Sequence, residues 1–236
     1  MSATSVLTRK NPPPAVWRWA VLVAISVAMF GNYYVYDSIA PVADSLQRLL
    51  GYTDTQIGTL NAIYSLPNIV VVLIGGVIVD RFGTRLSTLL FAIICSIGAA
   101  ITAISPSFPV MAAGRLVFGL GAESMIVAIT VAIGQWFVGR QLGFAFGVNL
   151  SIARAGSYSA DYSTTWFKPL YDQGWQPPLW LAAGMLCDRA LLAGYTAQTT
   201  RIDEELTAKA AEGLDLKPLV RSQRSIFDRF LGRQRS

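Results

Sequence analysis

Two charged side chains stand deep in otherwise apolar stretches: Glu123, in a run that begins near Val110, and Arg154, in one that begins near Gly143. At about 1.5 Å rise per helical residue, Glu123 lies roughly 20 Å along its run and Arg154 roughly 17 Å along the next. Both therefore approach the middle of a hydrocarbon layer about 30 Å thick. An isolated charge at that depth costs about 2.5 to 3.5 kcal/mol on insertion scales. Retaining two such residues implies a use for them, either as a structural ion pair fixing two helices or as contacts to a polar solute. The pattern predicts a transport pathway.

The elements that must hold these groups are membrane helices. The 236-residue chain is 53% hydrophobic and only 14% charged, against about 25% charged in an ordinary soluble domain. Apolar runs long enough to cross a membrane fall at about 17–38, 55–79, 86–105, 110–136, 143–166 and 178–197. The expected fold is all-α: a polytopic bundle of six transmembrane helices over 17–197, preceded by a cytosolic segment, 1–16, and followed by a polar cytosolic tail, 198–236. Arg9, Lys10 and the prolines at 12 to 14 precede the first run without a small-residue cleavage site, so that run reads as an uncleaved helix.

Charge placement gives an orientation. With the N-terminus cytosolic, that side collects Arg9, Lys10, Arg18, Arg81, Arg85, Arg140 and the basic residues of the tail, and the other side holds only Arg48 and Lys168. The net charge of +5 is thus explained by topology, and no nucleic-acid partner is expected. Arg115, Arg154 and Arg189 remain inside helices and need partners. In the tail, Ile202 to Glu212 reads as a short helix and Ile226 to Leu231 as an amphipathic basic stretch or a solvated linker.

Catalysis is not expected. The chain has no histidine, so neither a His-based triad nor an HExxH zinc site can be built, and Cys95 and Cys187 have no metal-site spacing. No cofactor and no metal are expected. Asn149-Leu-Ser151 matches a glycosylation acceptor by chance, because it lies inside the fifth run. Small residues mark helix contacts: Gly143 with Gly147 and the small residues from Ala153 to Ala160 predict close packing along the fifth helix, and Gly114, Gly119 and Gly121 either pack or open space around Arg115.

The stretch Gly76-Val-Ile-Val-Asp80-Arg81-Phe-Gly83-Thr-Arg85 resembles the cytosolic loop signature of the major facilitator superfamily, with Thr84 in place of the first residue of the usual closing basic pair. An acid at a helix end, a glycine turn and two arginines on the cytosolic face would make a compact polar latch. Arg115-Leu-Val-Phe-Gly119-Leu-Gly121 resembles the second signature of that superfamily. There the resemblance implies coupling or gating, and a structural ion pair is the alternative. About 8 Å from its helix end, Arg115 is within reach of water or loop acids. The proline-containing signature of drug/proton antiporters is absent from the fifth helix.

Together with Tyr64-Ser-Leu-Pro67-Asn68, Glu123-Ser124 and Ser151-Ile-Ala-Arg154, these motifs look like the branch that holds lysosomal dipeptide transporters and their microbial relatives, over roughly residues 30 to 185. That resemblance implies a uniporter for small zwitterions, with Glu123 on the ammonium, Arg154 on the carboxylate, and Asp37 and Tyr64 as further solute contacts. It implies twelve helices in two halves, whereas this sequence holds six. The expected partners are a small-molecule solute, the lipid bilayer, and a second six-helix half or a second copy of the chain. The alternatives are a carrier of organic or inorganic anions and a non-transporting scaffold. Plasma and lysosomal membranes are not distinguished by these residues.

Overall fold

The computed structural model describes residues 15–137 and 139–199. The expected N-terminal segment lies almost wholly outside them, as does the polar tail from residue 200. All regular elements described are helical: α1 (Ala15–Asp37), α2 (Ala43–Leu50), α3 (Asp54–Ala62), α4 (Asn68–Ile104), α5 (Phe108–Trp136), α6 (Arg140–Trp166), α7 (Lys168–Tyr171) and α8 (Gln176–Thr199), with single 3-10 turns at Ala40–Val42 and Ile63–Ser65. Three stretches among the described residues are long and apolar enough to cross a membrane: Val16–Leu50, Asp54–Ile104 and Phe108–Trp136. Helix α6 has the length to cross a membrane, yet Asn149, Arg154 and Asp161 interrupt its apolar character.

Two of the expected runs, 55–79 and 86–105, come out divided differently, for two backbone reasons. Pro67 has no N–H and its ring conflicts with a continuing helix, so α3 closes through the 3-10 turn before α4 begins. Within α4, Gly83 takes φ 80° and ψ 160°, a conformation that side-chain-bearing residues avoid, and it separates arms at 68–82 and 84–104. Upstream, Thr53 and Gln56 form a capping box: Thr53 Oγ1 accepts from the Gln56 backbone N–H at 3.2 Å, and Gln56 Oε1 accepts from the Thr53 backbone N–H at 2.9 Å.

Helix α1 packs on α6 and α8, and α4 packs on α5 and α8. The α1–α6 contact is built from small residues: Gly156 lies so close to Phe30 that a Cβ there would sit 2.3 Å from its carbonyl oxygen. Asn149, far from being an acceptor site, is buried and donates from Nδ2 to Ser26 Oγ at 3.1 Å across the same contact. Gly143 and Gly147 depart from expectation, because a Cβ at either would meet nothing within 4 Å. They lie on a side of α6 that no other described helix covers.

Arg115 organises the end of the bundle that holds the α1 C-terminus. Its side chain is buried, 1% exposed, and its guanidinium meets carbonyls in place of the expected water or acid. Nε donates to Leu60 O at 3.0 Å, Nη1 to Val35 O at 2.8 Å and Nη2 to Tyr36 O at 2.7 Å. The last carbonyls of α1 have no acceptor duty inside their helix, and the break at 63–67 releases that of Leu60 from the usual ladder. Gly119, one turn further along α5, lets the broken segment press in: a Cβ there would fall 2.0 Å from Tyr64 O. At the opposite end of the bundle, Arg18 Nε donates to the Trp136 carbonyl at 3.1 Å and its guanidinium stands 5.0 Å from the Phe137 ring centre.

In the connection between α6 and α8, Ser163 and Tyr171 share a hydrogen bond that Tyr34 of α1 joins. Burial, the largest cause, pushes the Tyr171 phenol up to about 12 from its ordinary 10.

These contacts set three expectations for the purified chain in detergent, read by thermal unfolding. Arg115→Leu takes a donor from three carbonyls, of which Val35 O keeps Ser38 as a donor, and lowers stability by about 2 to 4 kcal/mol, with Arg115→Lys intermediate because it lacks the planar fork. Gly119→Ala costs about 1 to 3 kcal/mol, whereas Gly147→Ala adds about 0.5 to 1 kcal/mol by restricting the unfolded chain. Tyr171 binds its proton more tightly folded than unfolded, so its contribution is complete below pH 10 and fades as pH rises towards about 12. Tyr171→Phe should remove that part of the alkaline loss; an unchanged profile would assign the loss elsewhere.

Candidate solute site

The candidate site is built by four elements. Helix α1 brings Tyr33, Tyr36 and Asp37, the turn after α3 brings Tyr64, α5 brings Glu123 and α6 brings Arg154. Glu123, Asp37 and the three tyrosines are half-buried, and Arg154 is exposed on the open side. The Tyr36 hydroxyl donates to Glu123 Oε1. Tyr36 stacks on Tyr33 with ring centres 5.5 Å apart and 19° between planes. The Arg154 guanidinium carbon stands 5.3 Å from the centre of the Tyr33 ring. Acid and base are thus connected through two stacked tyrosines, in a chain of contacts that runs Glu123, Tyr36, Tyr33, Arg154.

They are not joined directly. Neither takes part in the ion pairs of Arg48 with Asp44 and Lys168 with Asp172, each exposed and one helical turn apart. A Glu123–Arg154 salt bridge is therefore not what holds α5 to α6, and the structural-pair alternative has no bridge to rest on.

Tyr64 is held edge-on to Tyr36, with ring centres 4.3 Å apart, and lies under the Arg115 guanidinium at 4.9 Å. Phe118 adds a further edge contact to Tyr36 at 5.4 Å. The locked guanidinium of Arg115 consequently fixes one wall of the site without contributing a free donor to it. Asp37, next along α1, is close enough for its charge to act on Tyr64 and Arg115. The arrangement offers two carboxylates, an aromatic floor and one exposed guanidinium, which suits a solute with a cationic end and an anionic end.

Loop motif residues lie apart from this group. Asp80, Arg81 and Arg85 are exposed, Gly76 is half-buried, and Gly83 forms the break in α4. The expected compact latch is looser than anticipated: Asp80 forms no ion pair with the arginines among the described residues, and Arg81 stands 5.9 Å from the Phe82 ring centre. Thr84, which replaces a basic residue, ties the loop to α5 by donating to Gln135 Oε1 at 3.3 Å.

Tyr33 and Tyr36 are not among the residues expected at the site, although two tyrosines one turn apart near the end of an apolar helix, directly before Asp37, are a readable signal. Among the described residues no group of three His, Cys, Asp or Glu side chains could hold a metal ion.

The amino-acid sequence matches a known family. A family model described as Major Facilitator Superfamily matches residues 25–225. A lysosomal dipeptide transporter of Mus musculus, MFSD1, is 37% identical over 151 residues, covering 62% of this chain and 32% of the relative. The human MFSD1 is 36% identical over the same length and shares of each chain. The nitrate/nitrite transporter NrtP of Nostoc punctiforme is 25% identical over 146 residues, covering 62% of this chain and 29% of its own. This chain spans about a third of the length of the relatives it matches. A chain whose described elements are all helical, three of its stretches apolar and long enough to cross a membrane, and which that model matches over most of its length, belongs to the Major Facilitator Superfamily, a family of integral membrane transporters and not of enzymes.

Proposed function

We propose that this chain forms a six-helix half of a secondary transporter that moves a small zwitterion, a dipeptide or an amino-acid-like solute, by alternating access. The spans would be α1, α3 with the first arm of α4, the second arm of α4, α5, α6 and α8, with both termini cytosolic. The observation that carries this reading is the acid on α5 and the base on α6, set on one half-open face and connected through stacked tyrosines without neutralising each other. Glu123 takes the ammonium, Arg154 the carboxylate, and Asp37 and Tyr64 line the path. Gly76, Asp80, Arg81, Gly83 and Arg85 serve as the gating loop, and Arg115 with Gly119 sets the wall behind Tyr64. The dipeptide class is supported by the names of the MFSD1 relatives.

A second reading is favoured by the exposure of Arg154 while Glu123 is engaged by Tyr36: a carrier of small anions, as the names of the nitrate/nitrite and probable sulfoacetate relatives suggest. The two separate in proteoliposomes. Glu123→Gln should abolish uptake of L-alanyl-L-alanine and Arg154→Gln should do the same, with both variants assembled and thermally stable. Nitrate uptake that survives Glu123→Gln while dipeptide uptake was never present would favour the anion carrier.

A second six-helix half, or a second copy of this chain, completes the path by covering the open side of α6. Gly147→Leu puts bulk where a Cβ meets nothing in this chain, so its effect should appear only on assembly. The expected outcome is a single chain at least as stable as the parent, together with lost crosslinking in membranes and lost uptake. A crosslinked, transporting Gly147→Leu protein would place the partner on another face.

A further inference from the structure

Two arginines of this protein sit near the same tyrosines in opposite states of satisfaction. Arg115 spends its donors on three carbonyls and is buried. Arg154 is exposed, and among the described residues its partner is the face of Tyr33, 5.3 Å away, with no ion pair and no hydrogen bond. A π face holds a guanidinium over the ring without answering its N–H donors, so a carboxylate that draws the group to itself pulls it off that face. Glu123 is held in a comparable way, by the neutral phenol of Tyr36, a weaker partner for a carboxylate than an ammonium would be.

Both temporary partners come from one helix and one stacked unit. Tyr33 and Tyr36 are one turn apart on α1, their rings stack, and Tyr36 is braced from the side by Tyr64 and Phe118. Loading the anionic end at Arg154 disturbs Tyr33, and loading the cationic end at Glu123 must displace the Tyr36 hydroxyl. Because the rings are stacked, either event favours the other.

Resting on the zwitterion reading above, we propose that the Tyr33–Tyr36 stack is an intramolecular placeholder for the solute, its phenol standing in for the ammonium at Glu123 and its ring covering the guanidinium of Arg154 until the solute replaces both. These tyrosines are positioning residues that compete with the solute. Such competition lowers apparent affinity by the fraction of chains in the self-occupied state, so removing the competitor tightens binding. A tyrosine that contacts the solute directly would give the opposite sign.

The test is calorimetric titration of the detergent-purified full chain with L-alanyl-L-alanine and with its N-acetylated form, which lacks the ammonium. Tyr36→Phe keeps the stacking and removes the donor. It should bind the free dipeptide about tenfold more tightly, a factor equal to about 1.4 kcal/mol, and bind the acetylated form as the parent does. Tyr33→Phe keeps the ring and should leave both affinities unchanged, whereas Tyr33→Leu should tighten both ligands through the released guanidinium. Weaker dipeptide binding by Tyr36→Phe would overturn the proposal in favour of a direct contact, and equal binding would overturn it in favour of a purely structural stack. If the unmodified chain binds the free dipeptide no better than the acetylated one, the zwitterion reading itself fails, and the placeholder with it.

Discussion

A guanidinium buried among helix ends needs its donors answered, and Arg115 finds its answers in three carbonyls that regular helix geometry leaves without partners. Those carbonyls exist in one place because two chain events coincide there. Helix α1 ends at Asp37, and α3 closes before the proline at position 67. The same guanidinium lies over Tyr64 and close to Phe118, which in turn brace Tyr36. One cation bonded through each of its three nitrogens thereby sets the position of the aromatic floor on which a second, less engaged cation and a carboxylate are arranged. In a low-dielectric surrounding the difference matters, because a charge held by three buried carbonyls is structure and a charge with no hydrogen-bond partner is affinity.

Much of this was legible in the residues and some was not, for reasons that separate cleanly. The apolar runs at 17–38, 110–136, 143–166 and 178–197 lie close to α1, α5, α6 and α8, because long, predominantly apolar stretches leave few alternatives to a helix. Glu123 and Arg154 declared themselves by their cost. What lies between them did not, since tyrosine in an apolar run reads as core until the helix angle places Tyr33 and Tyr36 together. The partners of Arg115 were out of reach for a different reason: a free carbonyl belongs to the backbone, and no side-chain pattern announces it. Gly143 and Gly147 followed the small-xxx-small spacing, yet spacing states only that a close approach is permitted. Which face is taken depends on the rest of the bundle, and here Gly156 is the residue that meets α1.

Helix α6 displays two stripes whose contrast carries the functional reading. Asn149, Ala153, Gly156, Ala160 and Ser163 are buried, small, and turned into the bundle. Gly147, Ser151, Arg154, Tyr158 and Asp161 follow one another at intervals of three and four residues and are exposed. A stripe with a guanidinium, a carboxylate and a hydroxyl cannot face hydrocarbon along its length without a penalty at each polar group. It is tolerable only against water or against other helices. The exposed tyrosines at 158 and 162, stacked at 4.3 Å, and Trp166 beyond them give the outer part of the stripe an amphipathic surface of the kind that lines a wet passage or an interfacial zone.

That stripe and the acid at position 123 belong to different helices, and the connection between them is carried by α1. Because α1 also supplies the carbonyls that hold Arg115, a displacement of its C-terminal half would be felt at once by the buried cation, by Tyr64 and by the tyrosine stack. Its N-terminal end is anchored separately, through Arg18 to the end of α5 and through Ser26 to Asn149. Movement of α1 as a body would break contacts at both ends together, whereas a ring displacement at Tyr33 and Tyr36 keeps those anchors and gives up only local contacts: the stacked pair, the hydrogen bond to Glu123, the edges of Tyr64 and Phe118 and the Arg154 contact. The smaller change is the one the geometry makes cheap. Under the transport reading proposed above, solute capture would reorganise side chains on a rigid half, and the larger motion of alternating access would fall to a partner proposed to cover the open face of α6.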